Sequence, residues 1–425
     1  MRQLFVIWHR YIGLVMTLFL LVAGVTGTML AFYGELEALL HPHIMRITPA
    51  SGQQLIDPIA LAEQVEQRYP HAVLNRIPLH YESGKPMRYF LQPLPSASAE
   101  SLQNNEIFID PYTGAVLAER KWGDISQGLI NLLPFIYRLH FSLAVDKWGR
   151  TLFGIIALMW TLDCLVGAYL TFPPRQVSAR SRPGGAVTGG MVSAMANWCR
   201  RWKKAWQVRW GSGFYKVSFD LHRAGGLWVW AMLFVFAWSG VAFNLAEVYR
   251  PVMTQLFASQ QTESELAAIQ PAPALPGLNR QQALARGQLL MQQASADKKF
   301  AIRFENRLTY LPNKGIYSYA VNSSLDVSDE VANTRVMFDA QDGRLLAYYY
   351  PSSVASGNTV TEWLLALHTA RMGGVPMQVF VSLMGMTVVG LSLTGVYLWW
   401  RKRKAKMAAK GQVSRLQKSA VTAAG

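Results

Sequence analysis

The sequence is nearly without cysteine. Two occur, Cys164 and Cys199. No C-x-x-C-H string is present, so covalent c-type haem is excluded. No set of four thiolates exists to hold an iron–sulfur cluster. Cys164 falls inside an apolar run and Cys199 in a basic loop, so disulfides cannot staple the long segments elsewhere. Acidic residues are missing from two stretches. Between Pro173 and Asp220 stand Arg175, Arg180, Arg182, Arg200, Arg201, Lys203, Lys204, Arg209 and Lys216, against Asp220 alone. From Arg401 onward come Lys402, Arg403, Lys404, Lys406, Lys410, Arg415 and Lys418, with no acid. Segments 34–150 and 248–375 are nearly balanced, so the net charge of +16 is concentrated in those two stretches. Basic runs placed beside apolar spans read as topology and anionic-lipid contact, not as a nucleic-acid surface.

What fills the chain instead is apolar. Hydrophobic residues make up 51% of the sequence and charged residues 16%. Four apolar stretches, near 11–33, 151–172, 226–247 and 376–400, approach or exceed the roughly 20 residues that cross a bilayer core. The first is too long for a signal peptide, and its twin lies mid-chain, where no signal peptide can be. The positive-inside rule puts both termini and the 173–221 loop in the cytoplasm, and both long segments across the membrane.

The spans repeat. His9-Arg10 opens the first and His222-Arg223 the third; His9 precedes Gly27 by 18 positions and His222 precedes Gly240 by 18. His140 precedes Gly167 by 27 positions and His368 precedes Gly395 by 27. Matched spacing turns four scattered histidines into two equivalent pairs, one near each end of the spans. One histidine at a membrane edge is often only a polar interfacial residue. Two neutral imidazoles facing across a planar macrocycle form an axial pair for haem iron. The pairs are His9 with His222, and His140 with His368. Two such layers would carry electrons across the membrane. Arg10, Arg223 and Arg371 lie beside these histidines and suit haem propionates, since guanidinium pairs with carboxylate bidentately. Positive-inside anchoring is the other reading of Arg10 and Arg223. Zinc needs three or four clustered ligands, and each layer offers two. His41, His43, His71 and His80 have no counterparts in the second half and read as surface residues. Asp163 lies within the second span, where Leu391 takes its place in the fourth. A backbone group, a hydroxyl such as Thr161, or a proton path could be its partner. Gly24, Gly27, Gly167, Gly240 and Gly395 permit close approach of helices or of a flat cofactor.

Outside the spans the pattern changes. Residues 57–69 predict a helix capped by Asp57 with Pro58 in its first turn. Met87–Leu94 and Glu106–Leu117 predict antiparallel strands, with a tight turn at Asp110-Pro111-Tyr112-Thr113-Gly114. The second segment repeats this: a helix over 281–293, strands over 299–304 and 317–322, and a turn at Asp339-Ala340-Gln341-Asp342-Gly343. Helices over 125–143 and 359–370, carrying His140 and His368, would lie at the membrane interface. Trp198–Trp210 reads as a basic amphipathic helix on the inner surface, and the loop 176–197 as flexible.

The expected fold is therefore an α-helical integral membrane protein. Four transmembrane helices come from a duplicated two-span unit, with two small α+β domains outside. The parts are a first span (1–33), a first outer domain (34–124), an interfacial helix and second span (125–172), and a basic loop (173–221). A third span (222–247), a second outer domain (248–357), an interfacial helix and fourth span (358–400) and a basic tail (401–425) follow.

The HR-x-x-GL openings, the D-P-x-T-G turn, the L-H before the second span and the G-x-Y-L endings resemble the PepSY-associated transmembrane proteins. Among these are the inner-membrane ferric-siderophore reductases of Gram-negative bacteria. The resemblance covers nearly the whole chain. It implies two periplasmic PepSY domains, two b-type haems held by histidines, and electron delivery to Fe(III)-siderophores, releasing iron. Hydroxamate-type chelators suit this chemistry, because they hold Fe²⁺ far less tightly than Fe³⁺. The chain carries a short basic tail where some relatives carry a flavin domain, so a separate electron donor is expected. Tyr112, Trp122 and Tyr137 are candidates for the docking surface. The rivals are a non-enzymatic PepSY binding or regulatory module and a siderophore or iron transporter component.

Overall fold

The computed structural model describes residues 1–94, 102–174, 191–269 and 276–423, with side chains undescribed at 191–194 and 413–423. Most of the 176–197 loop, with Arg175, Arg180 and Arg182, falls outside the described residues.

In chain order the helices begin with α1 (Arg2–Leu30), α2 (Tyr33–Leu40), α3 (Pro42–Met45) and α4 (Pro58–Arg68). Strands β1 (Ala72–Val73), β2 (Arg76–Pro78), β3 (Met87–Phe90), β4 (Gln92–Pro93), β5 (Glu106–Ile109) and β6 (Val116–Arg120) follow. Next come α5 (Leu132–Ser142), α6 (Asp146–Thr171), α7 (Met191–Lys203), α8 (Phe214–Trp228), α9 (Trp230–Asn244), α10 (Ala246–Leu256) and α11 (Arg280–Lys298). The chain continues through β7 (Ile302–Leu311), β8 (Ile316–Ser323), β9 (Thr334–Asp339), β10 (Leu345–Tyr349), α12 (Ser356–Thr369) and α13 (Gly374–Ala423). These divide into two compact units. One comprises 1–28, 147–245 and 382–425, the other 29–146 and 246–381.

The first unit is helical. α1, α6 and the described part of α13 are each long and apolar enough to cross a membrane. A helix satisfies its own backbone groups, which is why apolar runs of this length adopt it. The predicted third span is not one straight helix. α8 and α9 meet at Val229 with a bend of 70°, and together they pass the same test of length and hydropathy. Gly225-Gly226, weak helix formers, precede the break. Tryptophans pin both sides of it. Trp228 donates its indole N–H to Trp206 O at 3.1 Å, and Trp230 donates to Cys164 O at 2.8 Å. Small residues set the helix contacts. A Cβ on Gly24 would lie 2.9 Å from Gly385 O, and one on Gly240 would lie 3.1 Å from Ala157 Cβ. Ser382 Oγ donates to Thr28 O beside the first of these. The basic amphipathic helix expected over Trp198–Trp210 is displaced toward the N-terminus. α7 already begins at Met191, within the stretch expected as loop, and ends at Lys203, where a 3₁₀ turn, Lys204–Trp206, follows. Its Trp202 donates to Thr171 Oγ1 at 3.1 Å. The basic tail continues α13 instead of leaving it, because Lys, Arg and Ala favour helix.

The second unit is α+β. Among the described residues its sheets run β10-β9-β8-β7-β2, β3-β5-β6 and β1-β4. The two outer segments, expected as separate domains, fold together. β2 of the first pairs antiparallel with β7 of the second, Arg76 opposite Thr309 and Pro78 opposite Arg307. The edge of β7 needs hydrogen-bond partners, and β2 supplies them. One shared apolar core draws Leu61, Tyr89 and Ile107 from the first segment and Leu290, Tyr319 and Phe338 from the second, with smaller clusters around Phe108 and Met337 beside it. Asp57 caps α4 by accepting from Ile59 N and Ala60 N, as its sequence predicts. The two turns share one geometry. Gly114 N donates to Asp110 O and Gly343 N to Asp339 O, and the glycines have φ of +71° and +73°. The expected 125–143 helix starts late, at Leu132, because Gly128 adopts φ 95° and divides the stretch into two 3₁₀ turns and α5. α5 and α12 both end in a left-handed residue, Leu143 (φ 53°) and Ala370 (φ 56°).

Candidate functional site

The four repeated histidines meet in two pairs. His9 on α1 faces His222 on α8 in the first unit, with ring centres 6.1 Å apart and planes at 57°. His140 on α5 faces His368 on α12 in the second unit, with ring centres 6.1 Å apart and planes at 80°. Metal–imidazole bonds of about 2.0–2.1 Å, two in line, put ring centres roughly 6.3 Å apart. Each pair can therefore take one metal centre from both sides. Among the described residues no group of three or more His, Cys, Asp or Glu could hold a metal ion.

The first pair draws on α1, α6, α8 and α13. His9 Nδ1 lies 3.0 Å from Asp163 Oδ2 and 3.1 Å from Oδ1. His222 Nδ1 lies 3.1 Å from Leu391 O and 3.0 Å from Thr394 Oγ1. A carboxylate and a carbonyl only accept, so Nδ1–H donates in both rings. That leaves the Nε2 lone pair of each ring free to bind a metal. The repeated glycines make the room. A Cβ on Gly167 would lie 3.6 Å from His9 Cε1, and one on Gly395 would lie 3.3 Å from His222 Cε1. Spacing alone predicted some close approach there, but not that the histidine rings fill it.

In the second pair, the protein crowded around half-buried His368 lowers its pKa to about 3, and the facing His140 adds to the shift. That shift favours the neutral form of the ring at pH 7. α5 also carries Tyr137, whose ring lies 5.7 Å from Trp122 and 5.6 Å from Phe141. Tyr112 stays in the Asp110–Gly114 turn and makes no ring contact with them among the described residues.

The arginines divide. Arg223, expected near a propionate, is turned to protein instead. It donates to Ala205 O, Lys204 O and Asp220 Oδ1, the last at 2.9 Å. Asp220 is fully buried and also takes Arg209, so it holds both guanidinium groups in place. Arg10 and Arg371 make no side-chain hydrogen bond to the described residues. Arg371 is exposed, and its carbonyl accepts from Ser328 Oγ at 2.7 Å, which fixes the loop after α12. Thr161 is not the partner of Asp163, since its hydroxyl donates to Ala157 O. The pairing of Asp163 with His9 was open to sequence reasoning by one signal. Asp163 and Gly167 are four apart, on one face of α6.

Compared with known families, residues 6–402 match the one described as the PepSY-associated TM region. The chain belongs to that family. No curated protein matches it. Membership in the PepSY-associated TM family, with the apolar helices above, makes this a membrane protein. The paired histidines fall within the matched residues of the family region.

Proposed function

We propose that the protein is a di-haem membrane oxidoreductase that passes electrons from the cytoplasmic side to Fe(III)-siderophores in the periplasm. The observation that carries this reading is the equal 6.1 Å separation of two histidine pairs, each uniting the two halves of the repeat. Haem, when bound, supplies a one-electron couple. The chain's own residues do the rest. His9, His222, His140 and His368 offer neutral nitrogen donors, and Asp163, Leu391 and Thr394 fix the tautomer of the first two. Arg10 and Arg371 keep guanidinium groups for propionates, a role Arg223 gives up to Asp220. The carboxylate behind the first pair is buried, which shields its hydrogen bond to His9 from water. In this reading α8 and α9 form the broken third of four spans in a bacterial inner membrane, with both termini cytoplasmic. The 34–146 and 246–381 segments form the periplasmic PepSY body. The donor is a separate cytoplasmic-side or membrane partner, and hydroxamate-type chelators are the fitting acceptors.

Gly395→Leu is expected to push the His222 ring aside and leave one haem per chain, because even a Cβ there would lie 3.3 Å from the ring. Haem content against protein concentration reads this out, and two haems in the variant would contradict it. The function itself is tested on full-length, detergent-purified protein reduced under nitrogen. Mixed with a ferric hydroxamate and a ferrous-specific chelator, it should reoxidise and yield the coloured Fe²⁺ complex. Haem-containing protein that stays reduced would overturn the siderophore assignment. A colourless folded protein would favour the binding-module or transporter readings.

A further inference from the structure

The first histidine pair is not symmetrical. His222 Nδ1–H donates to two neutral acceptors, Leu391 O and Thr394 Oγ1. His9 Nδ1–H donates to a carboxylate, Asp163, with both oxygens in reach at 3.0 and 3.1 Å. Asp163 is 6% exposed on an apolar helix, and among the described residues its only ion-pair partner is His9. An acid in such surroundings is costly to keep and points to function. The repeat places Leu391 at the matching position of α13, so the charge sits on one side of the pair alone.

We infer that Asp163 is a positioning residue that acts through His9 to lower the reduction potential of the first-pair haem. The inference rests on the axial-ligand reading above. The carboxylate holds the ring in the Nδ1–H tautomer and draws that proton, which makes Nε2 a stronger donor. A negative charge close to one ligand also favours the more positive, oxidised state, and a buried charge such as Asp163 does so more strongly than one in water. Both effects act in the same direction. The first pair thus has one ordinary imidazole, His222, and one with imidazolate character, His9.

The test is a potentiometric optical titration of the full-length protein in detergent. The component absent from His222→Ala identifies the first-pair haem. Asp163→Asn keeps an acceptor for Nδ1–H and removes the charge. It should raise the potential of that component by about tenfold in the reduction equilibrium, about 59 mV for a one-electron couple. The other component should stay in place. Thr394→Val changes no charge and leaves Leu391 O as acceptor, so its shift should be smaller. Should Asp163→Asn lose the first-pair haem, Asp163→Glu must restore it at close to the original potential. An unshifted Asp163→Asn, or a lost haem that Asp163→Glu does not restore, overturns the inference. Wild-type protein without haem would instead sink the reading it rests on.

Discussion

His368→Ala is expected to halve the haem content of the purified protein and to abolish electron delivery to a periplasmic acceptor. The ring it removes is half of a facing pair whose centres are 6.1 Å apart. Changes to groups behind a ligand already cost about 10–100-fold in metal affinity, and removing the ligand itself costs more. His140→Ala should behave in the same way. The first pair lies in the other compact unit, so the remaining haem should keep its spectrum and its potential. The amplitude of the reduced-minus-oxidised spectrum, referred to protein, measures the loss. Full haem content in both variants would remove the second pair from the account. Loss of both haems from a folded variant would also contradict the independence of the pairs.

The second large effect concerns stability. Arg120 is fully buried on β6 and serves three partners. Its Nε donates to Glu106 Oε2 at 2.6 Å, its Nη1 to Ile130 O at 2.6 Å, and its Nη2 lies 2.7 Å from Glu37 Oε1. Arg88 meets the same acids, with Nε 2.9 Å from Glu106 Oε1 and Nη1 3.5 Å from Glu37 Oε2. The Phe108 ring lies 5.3 Å from one guanidinium carbon and 4.9 Å from the other. Two cations and two anions thus balance, and Glu37 ties α2 to the β3-β5-β6 sheet. Arg120→Leu leaves a buried carboxylate uncompensated, which costs about 3–5 kcal/mol. Thermal unfolding in detergent should show a marked fall in Tm. Adding Glu106→Leu should recover part of the loss, because the orphan charge leaves with it. A fall of less than about 1 kcal/mol in Arg120→Leu would mean that water reaches the cluster.

The histidine pairs were legible in the sequence because duplication supplies what an alignment otherwise would. Equal spacing to Gly27 and Gly240, and to Gly167 and Gly395, named all four rings before any geometry was known. Capping at Asp57 and the two Asp-to-Gly turns were legible because they depend on a few adjacent residues. What escaped depends on contacts between distant segments. The bend at Val229 follows from Trp228 and Trp230 reaching Trp206 and Cys164, and no local pattern encodes those partners. β2 crossing to β7 is a pairing between halves that look self-contained when read separately. Arg223 sits beside His222 in sequence exactly as Arg10 sits beside His9, yet buried Asp220 three residues earlier captures it. Thr394 lacked any signal, since hydroxyls in apolar helices usually bond their own backbone. Its hydroxyl does that too, donating to Gly390 O at 2.8 Å, while it accepts from His222.

The most direct test of the central claim is the haem stoichiometry of full-length protein purified in detergent, by pyridine haemochrome assay and amino-acid analysis. The account predicts two b-type haems per chain, with low-spin spectra from paired histidines. A folded protein that binds no haem, even when haem is supplied during expression, would contradict it.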